Sequence, residues 1–270
     1  MGIFNFWKGK KAEQEQGKDH ITHHCFVLCK EPQPFDEPTA QRAAAKVFGP
    51  ACSVEVQDGK MVTIAQGSDS IGVLGLIPRP IPNGEAEHIA QGNPLWPDGP
   101  AEVAWHTSHV IIMNLRGPAQ TAVESALELS RLALVALELF DGIGVYWGNG
   151  SVCHSRNVFE QFCEGLSETH LPVAMWIRLQ PVAVSPNELG LYTLGMNQFG
   201  LMDLEVERCT WPLRELFGLV EGVATYLVMN GPVIRDGETV GQSATQRILV
   251  RQRKSLSQPK RTVYKLVFDA

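Results

Sequence analysis

The sequence lacks the short motifs by which the commonest enzyme classes are recognised. It has no G-x-x-x-x-G-K-[ST], no G-x-G-x-x-G, no G-x-S-x-G and no H-E-x-x-H. The usual signatures of P-loop enzymes, dinucleotide-binding enzymes, α/β-hydrolases and zinc metallopeptidases are therefore missing. We predict no cofactor and no metal, and an enzyme here would have to use an unfamiliar site.

Long apolar segments are lacking as well. No apolar run reaches 18 residues, and the most hydrophobic predicted helix carries Glu124, Glu128, Arg131 and Glu138, so no membrane-spanning helix is predicted. Residues 1–11 are too short in their apolar part for a secretory signal. Their aromatic residues and lysines leave contact with a membrane surface open. The other interpretation is that residues 1–20 form a flexible leader.

Cysteines are few and widely spaced. The six cysteines show no C-x-x-C spacing, which is typical of a protein from the reducing cytoplasm. His23, His24, Cys25 and Cys29 resemble a metal-binding set in sequence. On a strand, however, Cys25 and Cys29 face away from His24, so the four donors do not converge. We expect buried structural thiols.

Charge is distributed unevenly along an otherwise ordinary globular composition, 44% hydrophobic and 19% charged. The formal net charge is −6, but the residues after Thr245 carry +6 and the remainder therefore −12. An acidic chain with a basic C-terminal hairpin favours an electrostatically steered protein partner over nucleic acid. The oligomeric state is not determined by these features.

The chain is organised around a predicted strand, helix and strand between Trp105 and Ser155. An apolar run at 106–115 predicts a covered strand, Gly117 and Pro118 predict a helix start, and Ile143 to Trp147 predicts a second strand. Two such strands in one sheet are parallel, which makes a βαβ unit. We predict a helix over 119–140 with a thin polar stripe that includes Glu128.

The whole pattern predicts an α+β protein with mixed sheets, a central βαβ unit and two long helices, at 119–140 and 211–229. We expect a single domain over 21–270, with possible duplicated lobes at 21–90 and 101–270 on either side of a Pro-rich connection. The other predicted helices are 39–48, 85–90 and 156–166, and the other predicted strands are 21–30, 52–56, 60–66, 71–77, 173–184, 190–196, 201–207, 245–250 and 261–268.

A candidate site lies where the carboxyl ends of the two parallel strands should meet. In a binding interpretation, Arg116 and the helix N-terminus contact a carboxylate or phosphate of the partner while aromatic residues flank it. In a hydrolase interpretation, a serine is the nucleophile and His154 its base, with Glu205 orienting the histidine. The third interpretation is structural, with Trp147 in the core and Ser155 capping a helix. The candidate binding residues are Arg116, Tyr146, Trp147, Ser151, His154 and Ser155.

The last two predicted strands alternate apolar and basic residues. Tyr264, Leu266 and Phe268 face one side of their strand, while Arg261 and Lys265 face the other. The basic face is suited to an acidic partner or to nucleic acid, and solvated basic residues also protect edge strands from aggregation.

Three groups of residues together resemble a known family. They are Trp105-His-Thr-Ser-His109 before its strand, Gly144-Val-Tyr-Trp147 with His154-Ser155, and Gly190-Leu-Tyr-Thr-Leu-Gly195 with Phe199-Gly200 and Leu204-Glu-Val206. This ordered set, from about Ile21 to Phe268, resembles the bacterial family of unknown function DUF4261. The leader and the Pro-rich connection fall outside the pattern.

The resemblance implies a bacterial cytoplasmic protein, in some cases found in secretion-system or toxin–immunity surroundings. It implies no established activity and transfers no catalytic residue. We therefore expect a non-catalytic protein-binding module of immunity or secretion-associated type, and the competing hypothesis is a hydrolase-like enzyme that uses His154.

Overall fold

Alternating strands and helices form over residues 23–115, 120–241, 243 and 246–268, which are the residues that the computed structural model describes. The strands are β1 (His24–Cys29), β2 (Cys52–Gln57), β3 (Met61–Gln66), β4 (Asp69–Ile77), β5 (Ser108–Asn114), β6 (Gly142–Trp147), β7 (Val152–Ser155), β8 (Arg178–Ser185), β9 (Glu188–Leu194), β10 (Leu204–Cys209), β11 (Thr239–Val240), β12 (Ile248–Lys254) and β13 (Thr262–Val267). The helices are α1 (Glu37–Phe48), α2 (Glu85–Ala90), α3 (Gly99–Val103), α4 (Ala122–Leu139), α5 (Arg156–Phe162), α6 (Val173–Trp176) and α7 (Leu213–Asn230). This confirms the predicted α+β class.

The contacts divide the described chain into two units after Ile177. We call residues 23–177 the N-terminal unit and residues 178–268 the C-terminal unit. The Pro-rich segment, where the sequence indicated a boundary between lobes, lies inside the N-terminal unit because β4 and β5, on either side of it, pair directly. The predicted leader and the membrane contact of residues 1–11 lie outside the described residues.

The sheet of the N-terminal unit has the order β2-β3-β4-β5-β1-β6-β7. Strand β1 pairs antiparallel with both β5 and β6, so β5 and β6 run in the same direction. The parallel direction of these two strands is confirmed, but β1 lies between them, so they are not neighbours. Their carboxyl ends lie at one edge of the sheet, together with the start of β1.

Helix α4 begins later than predicted. Thr121 is its N-cap, and a capping box joins the Thr121 side chain to the Glu124 backbone N–H and the Glu124 side chain to the Thr121 backbone N–H. The prediction from Gly117 and Pro118 placed the start too early. A reciprocal Thr-x-x-Glu pair satisfies two backbone donors, and it therefore determines the start of the helix here.

The sheet has helices on both faces. Cys25 and Val27 lie on the face of β1 shared with Val110 and Ile112, and α4 packs over β1, β4, β5 and β6. Leu28 lies on the opposite face, in a core cluster that includes residues of α2 and α3. Strand alternation therefore sends consecutive side chains into two different cores.

The sheet of the C-terminal unit has the order β11-β12-β13-β10-β9-β8. Strands β10 and β13 are parallel, and the other pairings of the described strands in this sheet are antiparallel. Helix α7 packs against β8, β9 and β10. Its buried stripe consists of Leu216, Leu219, Val220, Val223, Ala224, Leu227 and Val228.

The predicted strand at 173–184 is wrong in its first part. Val173–Trp176 is a short helix and the strand begins at Arg178. A short apolar run fits a buried helix as well as a strand, so periodicity alone does not separate them. None of the helices in the described ranges is long and apolar enough to cross a membrane.

Candidate functional site

Five of the six predicted site residues lie on the hairpin formed by β6 and β7. Its register pairs Tyr146 with Cys153, Trp147 with Val152 and Val145 with His154. The sixth, Arg116, lies outside the described residues. A binding role for the six residues stays a prediction.

The hairpin does not bring Tyr146 and His154 together. Side chains that are paired across a ladder share a face, and Tyr146 and Val145 are consecutive, so Tyr146 and His154 face opposite sides of the sheet. Tyr146 packs in the core cluster that includes α2 and α3, where its hydroxyl donates to Glu85 Oε1 at 2.7 Å. Burial, followed by the bond to Glu85, raises the pKa of Tyr146, so this phenol remains protonated.

His154 is enclosed on the other face. It is buried, its ring lies edge-on to Phe162 at 5.5 Å between centroids, and Asn93 Nδ2 approaches Nδ1 at 3.4 Å. Nε2 makes no hydrogen bond of ordinary geometry with any described residue. Burial lowers the pKa of His154 to about 4, although the backbones of Met175 and Ala174 act in the opposite direction. The imidazole is therefore neutral at physiological pH.

The serines of the hairpin have structural partners. Ser155 caps α5, because its hydroxyl accepts from the Val158 N–H at 3.4 Å, as the sequence predicted. Ser151 ends a tight turn in the left-handed region, with φ of 49°. Because Ser155 and His154 are consecutive on a strand, their side chains point to opposite faces, and this arrangement does not form a nucleophile and base pair.

Trp147 is a core residue. It is 1% exposed, and its ring lies 6.3 Å from that of Trp176, measured between centroids. The Trp176 indole donates to Ser130 Oγ of α4 at 2.9 Å. Trp147 therefore joins the end of β6 to the core beneath α4.

A polar cluster that the sequence did not predict lies at the carboxyl ends of β5 and β6. Ser125 Oγ lies 2.8 Å from His23 Nδ1 and accepts from Asn114 Nδ2 at 2.7 Å. Asn114 also donates to Gln120 Oε1, and Gln120 Nε2 approaches Glu128 Oε1 at 3.5 Å. Glu128 is buried, which corrects its assignment to the polar stripe. Two features of the sequence could have indicated this cluster: Asn114 at the end of a predicted strand, and Ser125 among the apolar residues of a predicted helix.

His106 and His109 make hydrogen bonds to the backbone of the N-terminal unit. His106 Nε2 accepts from the Ile81 N–H at 2.9 Å, while Nδ1 lies 2.6 Å from the Val103 carbonyl oxygen. His109 Nδ1 lies 2.9 Å from the Arg79 carbonyl oxygen. Among the thiols, burial raises the pKa of Cys29 to about 12 and that of Cys163 to about 12, so neither is a thiolate.

The C-terminal unit buries ionisable side chains of both signs, beside neutral ones. Alternation along β10 places Glu205 and Glu207 on one side, and Asp203 directly precedes the strand. The register sets Glu205 beside Lys265 of β13. Lys265 forms ion pairs with Glu207 and, at 3.6 Å, with Glu205. Arg261 approaches Asp203 at 3.7 Å. We call these five residues the charged row.

The turn between β12 and β13 is built on this row. Ser255 donates to Glu205 Oε2 at 2.6 Å and the Leu256 N–H donates to Glu205 Oε1 at 3.0 Å. The carboxylate of Glu205 is therefore occupied by hydrogen bonds within its own unit. We call Arg253 to Arg261 the basic turn. It contains Arg253, Lys254, Lys260 and Arg261.

The predicted alternation of the last two strands is confirmed for their apolar faces. Tyr264, Leu266, Ile248 and Val250 are all buried. Lys265 is also buried, which the sequence did not indicate, because its ammonium lies between two carboxylates. Four exposed cations therefore lie at the basic turn, while Arg247 is exposed at the start of the hairpin.

The described chain is thus an α+β protein whose C-terminal unit is a six-stranded mixed sheet with a charged row and one long helix. Residues 192–267 match the family model described as domain of unknown function (DUF4261). The match lies within the C-terminal unit. It confirms the resemblance for the motifs from Tyr192 onward, while the motifs at 105–109 and 144–155 lie outside it. No curated protein and no solved structure matches the chain.

Proposed function

We propose that this protein is a non-catalytic protein-binding module, of the immunity or secretion-associated type that its resemblance to DUF4261 implies. The observation that carries the proposal is the basic turn. It presents several cations and an exposed leucine from an ordered backbone, in a chain whose other residues are strongly acidic in sum. Opposite potentials on two partners accelerate their encounter and determine their orientation.

The geometry of the predicted hairpin residues argues against the hydrolase alternative. His154 is enclosed and neutral, Ser155 caps a helix, and Tyr146 faces the opposite side of the sheet. A hydrolase requires a nucleophile within hydrogen-bond reach of its base, and the base in turn held by a third group. The hydrolase alternative therefore has no observation in its favour among these residues.

The test is affinity capture from a lysate of cells that express the protein, with the full-length chain as bait. We expect one stoichiometric protein partner, identified by mass spectrometry, with capture decreasing as salt is raised because exposed charges are screened. The His154→Gln variant should capture the same partner, since His154 is buried. Repeated capture without a protein partner, or turnover in a hydrolase substrate screen that His154→Gln abolishes, would refute the proposal.

A further inference from the structure

We propose that the basic turn is the docking surface of this protein, and that its occupant is an acidic protein segment with an apolar side chain that packs on Leu256. This inference rests on the proposed function and adds the location of the contact and the chemistry of the partner. Leu256 is 67% exposed and lies in the middle of the turn, with basic residues on both sides in the sequence.

Hydrogen bonds to buried Glu205 and within the turn fix the backbone of the basic turn. Besides the two bonds to Glu205, the Ser255 N–H donates to the Arg261 carbonyl at 3.0 Å, and the Gln258 N–H donates to Ser255 Oγ at 2.9 Å. Glu205 is itself buried, so water does not compete for the hydrogen bonds that its carboxylate accepts. A preorganised turn loses little conformational entropy on binding, which favours affinity. Glu205 is therefore a positioning residue for Leu256.

The cations of the turn are only partly neutralised by the protein itself. Arg253 shares Asp236 with Arg251, and Arg261 lies at 3.7 Å from the buried Asp203. Lys254 donates to the Lys260 carbonyl, a neutral group, and Lys260 has no ion pair within the described ranges. The surface thus retains positive charge that a carboxylate-rich segment complements.

The side chains of the turn favour a protein over a nucleic acid. Proteins that bind single strands combine cations with aromatic side chains on which bases stack. Residues 253–261 contain no aromatic residue, and the large exposed hydrophobic side chain among them is the aliphatic Leu256.

The test measures binding of three probes to the full-length protein by fluorescence anisotropy. They are a glutamate-rich peptide with a central leucine, the same peptide with glycine in that position, and a single-stranded oligonucleotide of equal charge. The charge-reversed variant is Lys254→Glu/Lys260→Glu. Its matched control is Arg208→Glu/Arg214→Glu, which changes two exposed arginines of the same unit outside the turn.

We expect the leucine peptide to bind most tightly. The Lys254→Glu/Lys260→Glu variant should lose at least about tenfold in affinity, and the control should stay within about threefold, because charges distant from a contact act weakly through salt. Leu256→Ser should remove the preference for the leucine peptide. Glu205→Ala should weaken binding and speed amide exchange at Leu256, and Glu205→Gln should restore part of both, because it keeps one acceptor oxygen.

Other outcomes overturn the inference. Tighter binding of the oligonucleotide would assign the turn to nucleic acid, and self-association lost in the turn variant would assign it to a second copy of the chain. An equal loss of affinity in the control variant, or no peptide binding at millimolar concentration, would show that the basic turn is not the docking surface. If affinity capture still yields a protein partner that the turn variant retains, the proposed function stands and this inference fails.

Discussion

The two units place polar groups in their interiors by different means. Most of the polar groups buried in the N-terminal unit are neutral, among them His23, His106, Ser125 and His154, although the carboxyl of Glu128 is buried there as well. Several of the neutral groups are hydrogen-bonded to backbone or to one another. The C-terminal unit buries ionisable groups of opposite sign, in the charged row. A buried neutral group needs only a hydrogen-bond partner, whereas a buried charge also needs a compensating charge.

The difference has a consequence for how each unit supports its loops. In the N-terminal unit, neutral bonds such as that from the Ile81 N–H to His106 hold the Pro-rich segment against the sheet. In the C-terminal unit, one carboxylate, Glu205, holds a surface turn that carries exposed charges. The bond between Ile81 and His106 thus lies within the interior of its unit. The bonds of Glu205, in contrast, connect a buried carboxylate directly to an exposed turn.

The largest expected effect comes from removing a buried aromatic side chain from the core of the N-terminal unit. Trp147→Ala should lower the free energy of unfolding by about 3–5 kcal/mol, because it deletes a buried aromatic ring and leaves a cavity beside Trp176. Chemical denaturation monitored by circular dichroism measures this change.

The matched control is Trp105→Ala, which removes a tryptophan that is 72% exposed in the same unit. Its effect should stay within about 0.5 kcal/mol, as is usual for surface positions. Equal losses in the two variants would contradict the assignment of Trp147 to the core.

A second prediction uses pH to charge a neutral buried group. The pKa of His154 is lowered from 6.5 to about 4 by burial, so the unfolded chain binds the proton more readily than the folded chain. The contribution of the neutral His154 imidazole to the free energy of unfolding is therefore fully present above pH 6.5, and it is lost as the pH is lowered toward 4. The loss is on the order of 3 kcal/mol, since each pKa unit corresponds to about 1.4 kcal/mol.

Urea denaturation at a series of pH values, with wild type, His154→Gln and His170→Gln, measures this contribution. His154→Gln should flatten the profile between pH 6.5 and 4, and His170→Gln, at an exposed position, should not. An unchanged profile in His154→Gln would show that the acid sensitivity arises elsewhere.

The smallest expected effect comes from neutralising a buried carboxylate of the C-terminal unit. Glu205→Gln removes the charge that faces Lys265 and weakens the bonds to Ser255 and Leu256, so the free energy of unfolding should fall by about 2 kcal/mol. Lys265 keeps its ion pair with Glu207, which limits the loss. Denaturation in low and high salt measures it. A loss that high salt abolishes would place the pair in solvent and not in the interior.

Local signals predicted most of the elements. Helix α2 forms at the predicted residues 85–90, because glycine and acidic residues mark its start. The start of α4 was missed although Thr121 and Glu124 have the capping-box spacing, since Pro118 offered a competing signal. The parallel direction of β5 and β6 followed from their connection, while the insertion of β1 between them did not, because strand order depends on long-range pairing.

The candidate site was less predictable than the fold. The residues of the β6–β7 hairpin were found as a group because they are close in sequence. The register of Val145 with His154 then separates Tyr146 from His154 across the sheet, and no local pattern contains that register. In the cluster of His23, Asn114 and Ser125, His23 lies 102 residues before Ser125, so sequence spacing gave no indication that the histidine belongs to it.

The sequence by itself determined the α+β class, the two long helices, the burial of the cysteines and the basic character of the C-terminal hairpin, because these depend on periodicity, turn residues and charge within short segments. The tertiary structure decided which polar side chains are buried and which are exposed. Lys265 and Arg261 belong to the same basic strand region, yet Lys265 is buried between two carboxylates while Arg261 extends to solvent. Burial is a property of packing between distant segments, and for that reason the basic turn was visible as a surface only once the sheet had been assembled.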